Sequence, residues 1–139
     1  MIYGSIPAAR WLRARIEAAL AGGPYAGRVY PGRLLPPDAP LPAIQVYREA
    51  ATDGRGPVGT DIPRETLRYT VKAVGEGQDE ESLLPLAEAL HRAIHGQRGT
   101  QDGHRIEVDR QGELPFGDLL DNNQPYVQLG GVYAVDVTD

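Results

Sequence analysis

The sequence predicts an α+β fold. We expect a two-layer sandwich in which a mixed, mainly antiparallel sheet of about five strands packs two helices on one face. Three observations lead there. Residues 66–74 alternate, with Leu67, Tyr69, Val71 and Ala73 on one side and Arg68, Thr70 and Lys72 on the other, the period-2 pattern of a half-buried strand. From Leu83 the period becomes 3.6: Leu83, Leu86, Ala87, Leu90 and Ile94 form one apolar stripe. The remaining segments read in the order helix, short strand, hairpin, helix, strand, strand, so helices and strands do not alternate in the manner of a parallel sheet.

Taken in chain order, Ser5 reads as an N-cap and Pro7 lies in the first turn behind it. A helix is predicted from there to residue 21. Its buried stripe is Ala9, Leu12, Ile16, Ala19 and Leu20, with Arg10, Arg13, Arg15 and Glu17 largely off it, and Gly22-Gly23-Pro24 stops it. Residues 28–30 are a short strand candidate. The prolyl stretch that follows, residues 31–42, cannot pair as a central strand and is predicted to be an extended loop. Its Leu34 and Leu35 need cover, from this domain or from a neighbouring subunit. Residues 43–50 are a strand.

Residues 52–63 (TDGRGPVGTDIP) form a loop between two strands, longer than the two to five residues a hairpin needs. Gly75-Glu76-Gly77 is expected to break the strand over 66–74. Asp79-Glu80-Glu81 then places negative charge at the start of the second helix, and Gly96 caps its end. Residues 97–103 read as a polar connector and residues 104–110 as a strand. Residues 111–125 are polar apart from Leu114, Phe116, Leu119 and Leu120, with a helical turn expected near 117–121. Residues 126–137 are the last strand, and Gly130-Gly131 within it signals a bulge or a close backbone approach.

A chain of 139 residues, 41% hydrophobic and 24% charged, suits one ordinary domain, residues 1–139. No apolar run approaches the roughly 20 residues of a membrane span, and the first residues lack the basic-then-apolar order of a signal peptide. There is no cysteine, which excludes disulfides, thiolate metal sites and cysteine nucleophiles. The formal net charge is −5, so the whole chain lacks the basic character of a free-standing nucleic-acid binder. Of the 14 Lys and Arg residues, all but Lys72 are arginine.

Chemistry-bearing patterns are sparse. His91 and His95 lie four apart on the second helix and share a face, with Glu88 one turn back. The pattern lacks the glutamate that follows the first histidine of metalloprotease helices, so we read two solvated or helix-end histidines and expect no metal. No glycine group has the spacing of a nucleotide cradle, and Ser5 and Ser82 look like helix-start residues. We expect no enzyme and no cofactor. Trp11 beside Arg10 and Arg13 reads equally as a core-edge residue or an interface anchor.

A family resemblance covers nearly the whole chain. An amphipathic helix leads to Gly27-Arg28-Val29-Tyr30-Pro31. A proline-rich stretch then ends in Leu41-Pro42-Ala43-Ile44-Gln45-Val46-Tyr47. A helix of the form Ser-Leu-Leu-x-Leu-Ala-Glu-Ala-Leu-His-x-Ala-Ile-His-Gly follows, and Gly130-Gly131-Val132-Tyr133 sits in the closing strand. This resembles the tail completion, or tail terminator, proteins of long-tailed bacteriophages and related particles. The resemblance implies a structural virion protein, made in the host cytoplasm, that forms a six-fold ring at the head-proximal end of the tail. Such a ring caps the tail tube, stops its growth and offers a surface to the head-tail connector. Its partners are further copies of itself, the tube protein and the connector, with DNA only as passing cargo and no membrane. The residues expected at subunit or tube contacts are Trp11, Arg13, Leu34, Leu35, Arg55, Val58, Ile62, Phe116, Tyr126 and Tyr133. Two other readings stand beside it: a connector or stopper ring of the neck, and a small cytoplasmic adaptor binding one partner through residues 52–63.

Overall fold

The computed structural model describes residues 4–52, 64–76, 80–113, 119–121 and 124–138. The elements are α1 (Ser5–Leu20), β1 (Val29–Pro31), β2 (Ala43–Thr52), β3 (Arg64–Glu76), a 3-10 turn over Glu80–Leu83, α2 (Leu84–Ile94), β4 (Arg98–Gln101), β5 (His104–Glu113), β6 (Leu119–Asp121) and β7 (Gln124–Thr138). The strands form one curled sheet in the order β1-β2-β3-β7-β5-β4, and β6 pairs with β7 beside that path. β1 runs parallel to β2, and the other pairs are antiparallel. The protein is an α+β sandwich with both helices on one face of a mixed, mainly antiparallel sheet.

The core lies between that face and the helices. Leu67, Tyr69, Val71 and Ala73 of β3 point into it with Ile44 and Val46 of β2, Val127, Tyr133, Val135 and Val137 of β7, and Ile106 and Val108 of β5. Leu86, Leu90 and Ile94 cover them from α2, and Leu83 from the 3-10 turn just before it, as the 3.6 period predicts. Fully burying one such side chain stabilises by about 1.5–3 kcal/mol.

α1 begins one residue earlier than expected. Gly4 is its cap residue, without a side-chain cap, and Ser5 is inside the helix. The Glu65 carboxylate accepts the Gly4 N–H at 3.1 Å. A tertiary contact thus supplies the cap and places a negative charge at the positive end of the helix dipole. The buried stripe is also turned: Pro7, Ala8, Trp11, Leu12, Ile16 and Leu20 are inside, while Ala9 and Ala19 are exposed. Trp11 decides this. Its indole lies against Gly99 of β4, where any side chain would collide with it, and the Arg15 guanidinium sits 5.3 Å from its ring centre. An indole buries far more apolar surface than an alanine methyl, so it sets the rotation of the helix.

Two strands exceed the expected five. Residues 97–103 are not a polar connector: β4 and β5 make a hairpin whose turn residues Asp102 and Gly103 have φ of 53° and 82°. Both are left-handed, as a two-residue type I′ turn requires, and Asp-Gly is a favoured pair for it. Residues 119–121 are strand β6 rather than a helical turn, because β7 extends back to Gln124 and offers them a pairing edge. β3 runs through Gly75, where the missing side chain makes room for Leu83: a Cβ there would sit 2.9 Å from Leu83 Cδ2.

Gly130-Gly131 marks a close approach and not a bulge. β3 and β7 keep one unbroken register, with Lys72 opposite Gly130 and Val71 opposite Gly131. A Cβ on Gly130 would collide with the Val71 carbonyl oxygen and lie 2.6 Å from Lys72 Cα. Gly130→Ala should therefore cost on the order of 2–3 kcal/mol by forcing the central strands apart. Gly112→Ala, whose Cβ meets nothing within 4 Å, should be close to neutral. Thermal melts of the two variants side by side check this. Leu90→Asp puts an unpaired charge where the native side chain is 2% exposed and should leave no cooperatively folded protein by circular dichroism.

Candidate functional site

The prolyl arm is tied down at its base and free at its tip. The Gly32 N–H donates to the Val46 carbonyl (3.2 Å), and the Ile44 N–H donates to the Arg28 carbonyl (2.9 Å). Gln45, 3% exposed, sends its side-chain amide to the carbonyls of Gly32 (3.4 Å) and Arg33 (3.1 Å). The Arg28 guanidinium holds the Pro42 carbonyl at the other end. Leu34, between these anchors, is 87% exposed, and Leu35 is half-buried. A leucine in water on an anchored, proline-rich arm is preorganised for contact, since little backbone freedom is left to lose on docking.

The second face of the sheet is polar and partly closed. Even-numbered residues of β3 point to it: Thr66, Arg68, Thr70 and Lys72. Thr70 is fully buried, and its hydroxyl has no hydrogen-bond partner. Lys72 is 6% exposed and donates one hydrogen bond, to Gln128 Oε1 at 2.7 Å. Tyr47, which pairs with Thr70 in the β2–β3 ladder, carries two cations over its ring: Lys72 Nζ at 5.5 Å and the Arg33 guanidinium carbon at 5.4 Å from the centre. Burial pulls the Lys72 amine below its ordinary pKa of 10.5, and Glu49 opposes this.

At the end of α2, His91 Nδ1 lies 2.9 Å from the Tyr133 hydroxyl, and the His91 and His95 rings stack at 4.5 Å. His91 is therefore half-buried and held, whereas His95 is the exposed helix-end histidine expected. Among the described residues no cluster of three or more His, Asp or Glu is arranged to hold a metal. None of the described helices is long and apolar enough to cross a membrane.

The expected contact residues divide. Trp11 and Tyr133 (6% and 3% exposed) belong to the chain's own core, so neither offers surface; their size and apolar area draw them inward. Arg13 is exposed and pairs with Glu17 one turn on, at 3.0 Å. Tyr126 is half-buried in β7. Leu34 stands out on the arm. Arg55, Val58, Ile62 and Phe116, with most of the loop over 52–63, lie outside the described residues. Sequence reasoning missed the group Gln45, Tyr47, Thr70, Lys72 and Gln128. Its one signal was a sole lysine inside an alternating strand.

No family model matches the chain, and no curated protein does. Eleven solved chains match. One of them, whose name is a serial designation without a functional word, aligns over 97% of this chain and 96% of its own, with a TM-score of 0.58 and 19% identity. The two chains share a fold. At that identity the likeness speaks for architecture from end to end and for nothing more.

The buried tyrosine of the core gives a test by pH. Desolvation pushes the Tyr69 hydroxyl up to about 12 from 10.0, with Arg48 opposing and Glu65 adding, and it donates to the Ser5 carbonyl at 3.1 Å. The folded state keeps a proton that the unfolded chain sheds from pH 10. The stabilisation is whole below pH 10 and is lost as pH rises to about 12, on the order of 2–3 kcal/mol. For Lys72 the sign is opposite: the unfolded chain takes up the proton that the folded site resists, so stability rises with pH toward 10.5. In denaturant melts across pH 9–12, Tyr69→Phe should be weaker at neutral pH by about 1 kcal/mol, for the lost hydrogen bond, and should lose less stability than wild type above pH 10.

Proposed function

We propose that this chain is a ring-forming terminator of a long phage tail or related particle, which caps the tube and presents a surface for head joining. The observation that carries the reading is Leu34. The core is complete without it, yet the chain spends five anchoring hydrogen bonds on the arm that holds it in water. A ring closed by head-to-tail contacts needs two different patches per subunit, and an apolar arm that reaches outward is suited to be one of them. The element order and spacing that resemble tail terminators run through the same arm, from Arg28-Val29-Tyr30-Pro31 to Leu41-Pro42-Ala43-Ile44. A net charge of −5 suits a channel that passes DNA without holding it. The described chemistry is that of packing and assembly, and we assign the chain no catalytic role.

Native mass spectrometry over a range of concentrations tests this. Six copies of the 15.1 kDa chain are expected, and a stable dimer would instead favour an adaptor. Leu34→Glu should leave the monomer's melting within about 0.5 kcal/mol, since the side chain is exposed, and shift the distribution to monomer. Replacing residues 53–63 by Gly-Asn-Gly should likewise preserve the fold and weaken assembly. Placement at the head-proximal end of isolated tails separates a terminator from a neck stopper.

A further inference from the structure

We infer that the prolyl arm of one subunit seats on the flank of α1 in the next copy of the chain, with Leu34 against Ala14 and Ala18 and the Asp38 carboxylate on Arg15. The inference rests on the ring reading and names the second of the two patches that a ring needs. The arm leaves the molecule on the side opposite the helices. Gln45 and Tyr47 stand opposite Lys72 and Thr70 in the β2–β3 ladder, and directly opposed residues share a face, so both lie on the second face of the sheet. The Gln45 amide holds the carbonyls of Gly32 and Arg33, and the Arg33 guanidinium lies over the Tyr47 ring. The base of the arm therefore folds over the open side of the sheet, and its tip projects from there. A head-to-tail contact joins two unlike surfaces, and the surface unlike this one is the helical layer.

The tip and α1 complement each other in shape and charge. The Ala39 N–H donates to the Pro36 carbonyl at 3.0 Å, so a turn around Pro37 and Asp38 fixes the tip. Leu34 and Asp38 are both exposed on it. Asp38 is the only charged residue from 34 to 42, and no described cation pairs with it. On α1, Ala14 and Ala18 lie one turn apart and exposed, and their methyl groups leave room for an incoming leucine. Arg15 stands beside them, also exposed. Its guanidinium donates to the Ala93 carbonyl (3.4 Å) and to Gln97 Oε1 (2.6 Å) and lies against the Trp11 ring. It is held without being neutralised: Arg10 and Arg13 pair with Asp102 and Glu17, whereas Arg15 has no described carboxylate. A guanidinium fixed in place, with N–H groups to spare, is set to take a carboxylate in charge-assisted hydrogen bonds. Both sides are ordered before they meet, so little freedom is lost on docking.

The chain has no cysteine, so an introduced disulfide reports the contact directly. In the full chain carrying Leu34→Cys and Ala18→Cys together, mild oxidation and non-reducing electrophoresis should give a ladder of covalent multimers that ends at six copies. Each single variant should stop at the dimer. So should Leu34→Cys with Arg105→Cys, whose second cysteine lies on the exposed far side of β5. Native mass spectrometry of charge reversals gives a second readout. Asp38→Arg and Arg15→Asp should each raise the concentration needed for the ring roughly tenfold, and the two together should bring it back. That recovery separates a lost contact from a damaged fold. A six-copy ring that gives no ladder beyond the dimer and tolerates both reversals would overturn the seat and leave the ring standing. A ladder from the Arg105→Cys pair would overturn it too, by placing the arm on the neighbour's sheet. A chain that stays monomeric at every concentration would overturn ring and seat together.

Discussion

Everything in this fold hangs on the pairing of β3 with β7. All thirteen residues of β3, from Arg64 to Glu76, have a partner in β7 without a register shift. That ladder is long enough for both outer strand pairs to build on it: β2 adds to the far side of β3, and β5 to the far side of β7. The two interruptions, between Arg48 and Ala50 and between Arg110 and Gly112, fall in these flanking pairs and not in the central one. The constraint is steric as much as hydrogen-bonded. At Gly130 the strands approach so closely that no side chain fits, and the register cannot slip by one residue without turning Val71 and Val135 out of the core.

With the central ladder in place, the two faces take different work. One is apolar and sealed by α1 and α2. The helices reach it by different means: α2 through three leucine and isoleucine side chains one turn apart, α1 through a tryptophan laid over a glycine at the sheet edge. The other face carries threonine, lysine, tyrosine and glutamine, several of them out of water. Burying polar groups is costly unless they are satisfied, and in this group the Thr70 hydroxyl is not. The unbalanced polarity of that face and the exposed leucine of the arm are the two places where the molecule is not finished by its own contacts.

Where sequence reasoning worked, one local signal dominated. The α2 stripe and the alternation of β3 were legible because burial and periodicity agree there residue by residue. It failed where a distant residue decided. Ser5 looks like a cap, but Glu65 supplies the cap contact from β3. Ala9 and Ala19 fit a stripe, but Trp11 and Gly99 turn the helix away from them. Residues 119–121 have no strand pattern of their own and become a strand because β7 offers an edge. Asp102-Gly103 is the exception: its turn chemistry is local, but the polar residues 98–101 before it show no apolar alternation to mark a strand. Of the contact residues expected, Leu34 is out in solvent, whereas Trp11 and Tyr133 show that an aromatic side chain in the sequence does not say whether it is spent inside or outside.

By itself the sequence determined the class of the fold, the helix α2, the strand β3 and the absence of any thiol chemistry. Each follows from composition or from a short-range period. Only the tertiary structure decided the strand order, the rotation of α1 and the joining of Arg33, Tyr47, Thr70, Lys72 and Gln128 on one face. Those residues come from the arm and three strands, up to 95 positions apart (33 to 128). No local pattern records their meeting, because it is the register of β3 against β2 and β7 that brings them together.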